Sequence, residues 1–141
     1  MSFPYITNPF APSGLAVPPV AGIHEESAIY VFSFVLTANQ IKTNLEVSID
    51  TDSDFYLKGI VIASATSDFR FRYADESGYY TSNAMLDSSA IPVNAALPFP
   101  VTPQLRYSAG GRIPIDLTDT SGAGNTINMW FLGTKRFQKS R

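Results

Sequence analysis

Reactive and metal-ligating side chains are scarce in this chain and poorly spaced for joint work. His24 is its only histidine, and it has no cysteine. A nucleophilic triad needs an imidazole as general base, so a lone histidine beside a proline-rich stretch argues against one. Imidazoles converging on a metal from several strands, and thiolates holding zinc, are not expected on the same inventory. The run Asp50-Thr51-Asp52-Ser53-Asp54 opens like a calcium loop. Phe55, however, stands where a glycine must make the sharp turn, and Val61 where a bidentate glutamate belongs. The run therefore reads as a solvated turn. Carboxylate pairs such as Asp75 with Glu76, or Asp116 with Asp119, are chemically capable of acid–base work, but neighbouring acids on turns are usually solvated, and no chemistry is assigned to them. Gly110-Gly111 and Gly122 to Gly124 lack the lysine and helix of a phosphate loop and read as turn residues. The inventory predicts no enzyme, no metal and no cofactor.

Candidate partner contacts remain on the surface. Arg70, Arg72, Arg106 and Arg112 occupy strand positions that place them on outward or rim faces. A planar guanidinium suits carboxylate partners, and a plain solvated face has the same sequence signature. Trp130 points outward if Met129 and Phe131 point inward. It is then a contact anchor or, with Tyr79 and Tyr80, an aromatic platform for a glycan; burial under a second sheet is the alternative. Lys135 to Arg141 carries four positive charges and no negative one, a small basic tail that is either solvated or set against an acidic neighbour.

The elements that must position these residues are strands. Ile113, Ile115 and Leu117 alternate with polar residues or proline, as do Ile127, Met129 and Phe131 with Asn128 and Trp130, and the two segments read as a hairpin turned by Asp119 to Asn125. Ile29 to Leu36 is almost continuously apolar, the pattern of a central strand covered on both faces. It pairs in the reading with a second strand, Ile41, Thr43, Leu45, Val47 and Ile49 facing inward, through a turn at Thr37 to Gln40. Phe55 to Ala63 is a third strand in which Gly59 marks a bulge or a close backbone approach. Phe69, Phe71 and Tyr73 alternate with Arg70 and Arg72, and Tyr79 to Thr81 returns on them after a turn. Asp87 to Pro103, with four prolines, reads as a long crossing loop. About seven or eight short strands without a convincing helix predict an all-β fold, a single β-sandwich with jelly-roll connections.

Composition sets the outer limits. A chain of 141 residues with 45% apolar and 13% aromatic residues is long enough for one core. Net charge of -2 argues against a nucleic-acid partner, and the apolar runs are too short to span a bilayer. The first residues lack the pattern of a secretory signal. Residues 1–23 hold five of the ten prolines and no charged side chain, so they are expected to form an extended arm rather than a helix or strand. Phe3, Tyr5 and Phe10 make that arm apolar, which suits docking on protein, either its own domain or a neighbouring subunit. The expected layout is an arm over 1–23, a sandwich domain over 24–137 and a basic tail over 138–141.

Three stretches, FYLKGIVIAS, DFRFRYADESGYY and RYSAGGRIPIDLTDTSGAGNTINMWFLGTKRF, together spanning about residues 55–137, resemble small virion structural proteins encoded near the head genes of tailed bacteriophages. The shared pattern is an aromatic strand, a D-x-SG-x-Y hairpin, an R-Y-x-AGG-x-I turn and strand, a D-T-SGA-x-NT turn and a terminal F-x-G-x-KRF. The resemblance implies a non-enzymatic subunit that decorates or cements the capsid, or forms a collar at the head–tail junction, in many copies. Its implied partners are the major capsid protein or the portal, with self-association, and its implied location is the virion, assembled in the bacterial cytoplasm. It brings no catalytic residues. A receptor- or glycan-binding module of the virion is the alternative.

Overall fold

The computed structural model describes residues 23–66, 68–90 and 98–138. Within them lie eight strands: β1 (Ile23–Leu36), β2 (Ile41–Ser48), β3 (Asp54–Ser64), β4 (Phe69–Tyr73), β5 (Leu86–Asp87), β6 (Phe99–Tyr107), β7 (Arg112–Asp119) and β8 (Asn125–Gln138). One turn of 3-10 helix, Ser88–Ala90, follows β5. The strands form two antiparallel four-stranded sheets, sheet I in the order β1-β8-β3-β6 and sheet II in the order β2-β7-β4-β5. Every connection except β4 to β5 crosses from one sheet to the other. This is the jelly-roll order, and the all-β sandwich read from the sequence is the fold of the chain.

The core forms because period-two alternation in both sheets turns apolar side chains toward the same gap. Phe55, Leu57, Ile60 and Ile62 from β3 meet Ile127, Met129 and Phe131 from β8, and all are fully buried. Across the gap stand Phe69, Phe71 and Tyr73 from β4 with Ile113, Ile115 and Leu117 from β7. Each large apolar side chain buried this way contributes roughly 1.5–3 kcal/mol. Tyr107 is buried with them, and its hydroxyl donates to the Ala74 carbonyl at 2.7 Å. Burial pushes that phenol far above its ordinary pKa.

Five sequence-based expectations change. β7 and β8 are not a hairpin, because β7 pairs with β2 and β4 while β8 pairs with β1 and β3. Alternation says which face of a strand is apolar; it does not say which strand lies alongside. The segment between them therefore arches across the sandwich, and Thr37 to Gln40 does the same between β1 and β2. β1 is an edge strand and not a central one. β6 takes in Phe99 to Tyr107, so Pro100 and Pro103 stand in a strand, which an edge position permits because one side of it needs no ladder donors. In β2 a register shift between Lys42 and Leu45, with Asn44 at φ 60°, puts Ile41 outside at 67% exposure while Val47 stays buried. Gly59 lies at the expected bulge: the register of β3 shifts between Leu57 and Gly59, and a Cβ there would sit 3.3 Å from Pro98.

The crossings at one end of the sandwich are tied by one carboxylate. Asp119 accepts from the backbone N–H of Asn39 at 2.8 Å, Ser121 at 3.1 Å and Gly122 at 3.2 Å, and from the Ser121 hydroxyl at 2.6 Å. The Ser121 hydroxyl first, then the backbone donors, hold its carboxyl down at about 2. Both arches, 37–40 and 120–124, thus hang on one side chain.

Candidate interaction surface

The outward faces of the two sheets differ in chemistry. On sheet II every outward arginine has a carboxylate from its own chain. Arg70 lies 3.6 Å from Asp87, and Arg112 lies 4.0 Å from Glu46. Arg72 is half-buried, 3.1 Å from Asp116, with its guanidinium 3.5 Å above the Tyr80 ring. Asp116 is buried beneath that stack and also accepts from the Asn44 backbone N–H at 3.0 Å. The hydrogen bond to Asp116 raises the Tyr80 phenol above its ordinary pKa.

Sheet I divides into a charged half and an uncharged half. In the charged half Glu25, Arg136 and Asp54 lie in one cross-strand row. Arg136 pairs with Glu25 at 2.6 Å and lies 4.5 Å above the Tyr56 ring, while Arg106 pairs with Asp54 at 3.0 Å. On the opposite, inward-turned side of the same strand end, beside the Tyr30 ring, Lys135 meets Asp50 at 2.5 Å, and its ammonium holds the Asp50 carboxyl below the usual range. Lys135 and Arg136 are therefore strand residues rather than part of a basic tail, because β8 runs to Gln138. Asp54 also accepts from the Ala109 N–H at 2.9 Å, so the acidic run closes a turn between strands.

The uncharged half is built by three successive rows across β1, β8 and β3. They are Ile29, Leu132 and Gly59, then Val31, Trp130 and Val61, then Ser33, Asn128 and Ala63. Trp130 stands at the centre, half-buried between two valines. Val61 is 7% exposed yet lies outside the contiguous core, as its outward position requires. Toward the edge, Ile29, Val31 and Val35 are 60%, 63% and 68% exposed. Scattered apolar residues on a surface need no explanation, but a contiguous uncharged row centred on a tryptophan has the composition of a contact patch.

Trp130 and Arg106 thus share the outer face of sheet I, whereas Arg70 and Arg72 lie on sheet II. Tyr79, 75% exposed, and Tyr80 follow β4 on sheet II, so they do not form an aromatic platform with Trp130. Phe3, Tyr5 and Phe10, together with residues 1–22 of the expected arm, lie outside the described residues, as do Lys139 and Arg141, while Ile23 opens β1. Sequence reasoning missed Ile29, Val31 and Val35 as surface residues. Their signal was the same continuous apolar run, read as strand covered on both sides when one side is open. His24 sits on β1 with Glu26 at 2.9 Å. Among the described residues no three histidine, aspartate or glutamate side chains are grouped to hold a metal ion. A cleft of about 470 Å³ between the sheets, bordered by Tyr73, Leu86, Phe99 and Leu105, is lined by no carboxylate, imidazole or amine. No family model matches the chain, and no curated protein matches it.

Proposed function

We propose that this chain is a non-enzymatic structural subunit of a tailed-bacteriophage virion. It decorates or cements the capsid, or forms a collar at the head–tail junction, and it is used in several copies. The observation that carries this reading is the outer face of sheet I, where an uncharged apolar patch around Trp130 adjoins a zone of internally paired charges. A surface of that kind suits a protein neighbour: its apolar centre gains by leaving water, and Arg106 and Arg136 at its border already have carboxylates of their own chain. The resemblance of residues 55–137 to phage virion proteins points the same way, and the jelly roll is an architecture that capsid proteins use. The major capsid protein or the portal is the neighbour this role requires, with residues 1–23 as a second attachment.

The test is a reconstruction and mass spectrometry of purified particles of the encoding phage, with wild-type chain and with a chain lacking residues 2–20. The role requires the wild-type chain in many symmetric copies on the head or at its neck. The shortened chain should keep its β spectrum and lose its place on the particle. Virions that contain no copies of the chain would overturn the role.

A further inference from the structure

Sheet edges are where β proteins meet other chains, because an edge strand presents a row of unpaired N–H and C=O groups. Proteins blunt such edges with proline, charge, bulges or brevity. Among the described residues the edges are β1 and β6 in sheet I and β2 and β5 in sheet II. β6 carries Pro100 and Pro103 and a break in register against β3. β2 carries Lys42 and Glu46 and is bulged between Lys42 and Leu45. β5 is two residues long. β1 has none of these devices over Ser27 to Leu36, which contains neither a charged residue nor a proline, and its 14 residues pair with β8 without a shift.

The burial of β1 shows what it lacks. On β8, flanked by strands on both sides, the inward residues Ile127, Met129 and Phe131 are fully buried and the outward Trp130 and Leu132 half-buried. On β1, flanked on one side only among the described residues, the inward Tyr30, Phe32 and Phe34 are half-buried and the outward Ile29, Val31 and Val35 more than half exposed. The deficit appears on both faces at once, so it is lateral: a molecule laid on the outer face would cover one set of residues and leave the other. A strand added at the edge supplies neighbours to both.

We propose that β1 pairs antiparallel with β1 of a second copy, about a two-fold axis through Phe32, joining two sheets I into one continuous eight-stranded sheet. The strand that fits this edge best is uncharged, about nine residues long and able to donate all along its length. Ala28 to Leu36 meets all three demands. The arm fits less well, since its longest run between prolines is the five residues 13–17 and each proline could stand only where its missing N–H faces away from β1. In this register Ile29 lies opposite the partner's Val35, and the inward Tyr30 opposite the partner's Phe34. Glu25 and Glu26 fall beyond the paired segment, so no like charges face each other. The pairing rests on reading this face of sheet I as an assembly surface.

Sedimentation of the purified full chain tests it, with two kinds of variant. The wild-type chain should sediment as a dimer. Val31→Lys, which places a charge on the exposed face, should weaken the dimer by at least about tenfold without altering the β spectrum. Because the chain has no cysteine, the doubly substituted Ile29→Cys, Val35→Cys chain should form a covalent dimer on oxidation. The two single-cysteine chains should not, since identical positions lie far apart in this register. If Val31→Lys fails to fold, the cysteine chains decide. A monomeric wild-type chain, or cross-linking that is the same in single and double variants, overturns the pairing. Copies found on particles despite a monomeric chain in solution would refute the pairing and leave the virion role standing.

Discussion

At the scale of residues, the positions that matter most to the fold have no chemistry to advertise them. Gly133 in β8 faces Leu57 in β3 beside the bulge, and a Cβ there would lie 1.9 Å from the Tyr56 carbonyl oxygen. Backbone cannot yield as a side-chain tip can, so Gly133→Ala should cost about 3 kcal/mol or more, read as a fall in the urea midpoint. Gly78 has open space around it and φ of +90°, so alanine there should cost only the strain of a left-handed residue, about 1–2 kcal/mol. Asp119 gives a pH signature. Its carboxyl titrates near 2 in the folded chain against 3.8 ordinarily, so the folded state binds the proton less readily than the unfolded one. The stabilisation is complete above the unfolded value and disappears as pH falls through 3.8 toward 2. Thermal melting of the wild type should therefore decline more steeply over that range than melting of Asp119→Asn, which starts lower and lacks this contribution. Equal slopes would show that the hydrogen bonds to Asp119 do not hold the arches.

At the scale of elements, the short β4 is fixed to sheet II by more than its ladder. Arg72 projects from it onto Asp116 of β7 and beneath Tyr80 of the following turn. Removing the guanidinium leaves a buried carboxylate with the Asn44 N–H and the Tyr80 hydroxyl but without its ion-pair partner. Arg72→Ala should thus destabilise the chain by about 2–3 kcal/mol, while Arg70→Ala, whose pair with Asp87 is more than half exposed, should change stability by about 1 kcal/mol or less. Similar losses from both would place the Arg72 pair among ordinary surface contacts. The comparison is made by denaturant unfolding of the two variants under one set of conditions.

At the scale of the whole molecule, two neighbours in sequence serve two different ends. Phe131 points into the core and is fully buried, whereas Trp130 points out from the centre of the apolar patch. Phe131→Ala should cost about 3–5 kcal/mol of folding stability. Trp130→Ala should cost much less in folding and should reduce occupancy on the particle. If Trp130→Ala leaves occupancy unchanged, the outer face of sheet I is not the attachment surface. Calorimetry of the purified variants and counting of copies on virions separate the two effects.

Much of this was legible in order of residues alone. Alternation at 69–73, 113–117 and 127–131 named the inward side chains correctly, because the pleat of a strand turns every second residue the same way whatever lies beside it. The all-β sandwich followed from strand number and turn spacing, while its jelly-roll order came only from the structure, and the scarcity of histidine and cysteine was readable as composition. Partnership between strands was not legible, since a turn of a few residues serves equally for a hairpin or for an arch between sheets, and the structure chose arches at 37–40 and 120–124. The same limit hid the candidate surface. The run Ile29 to Leu36 announces two apolar faces, but only the placing of β1 at the edge leaves one of them open. Exposure belongs to a residue's surroundings, and the surroundings of β1 come from β8, nearly a hundred residues later in the chain, and from the absence of any described strand on its other side.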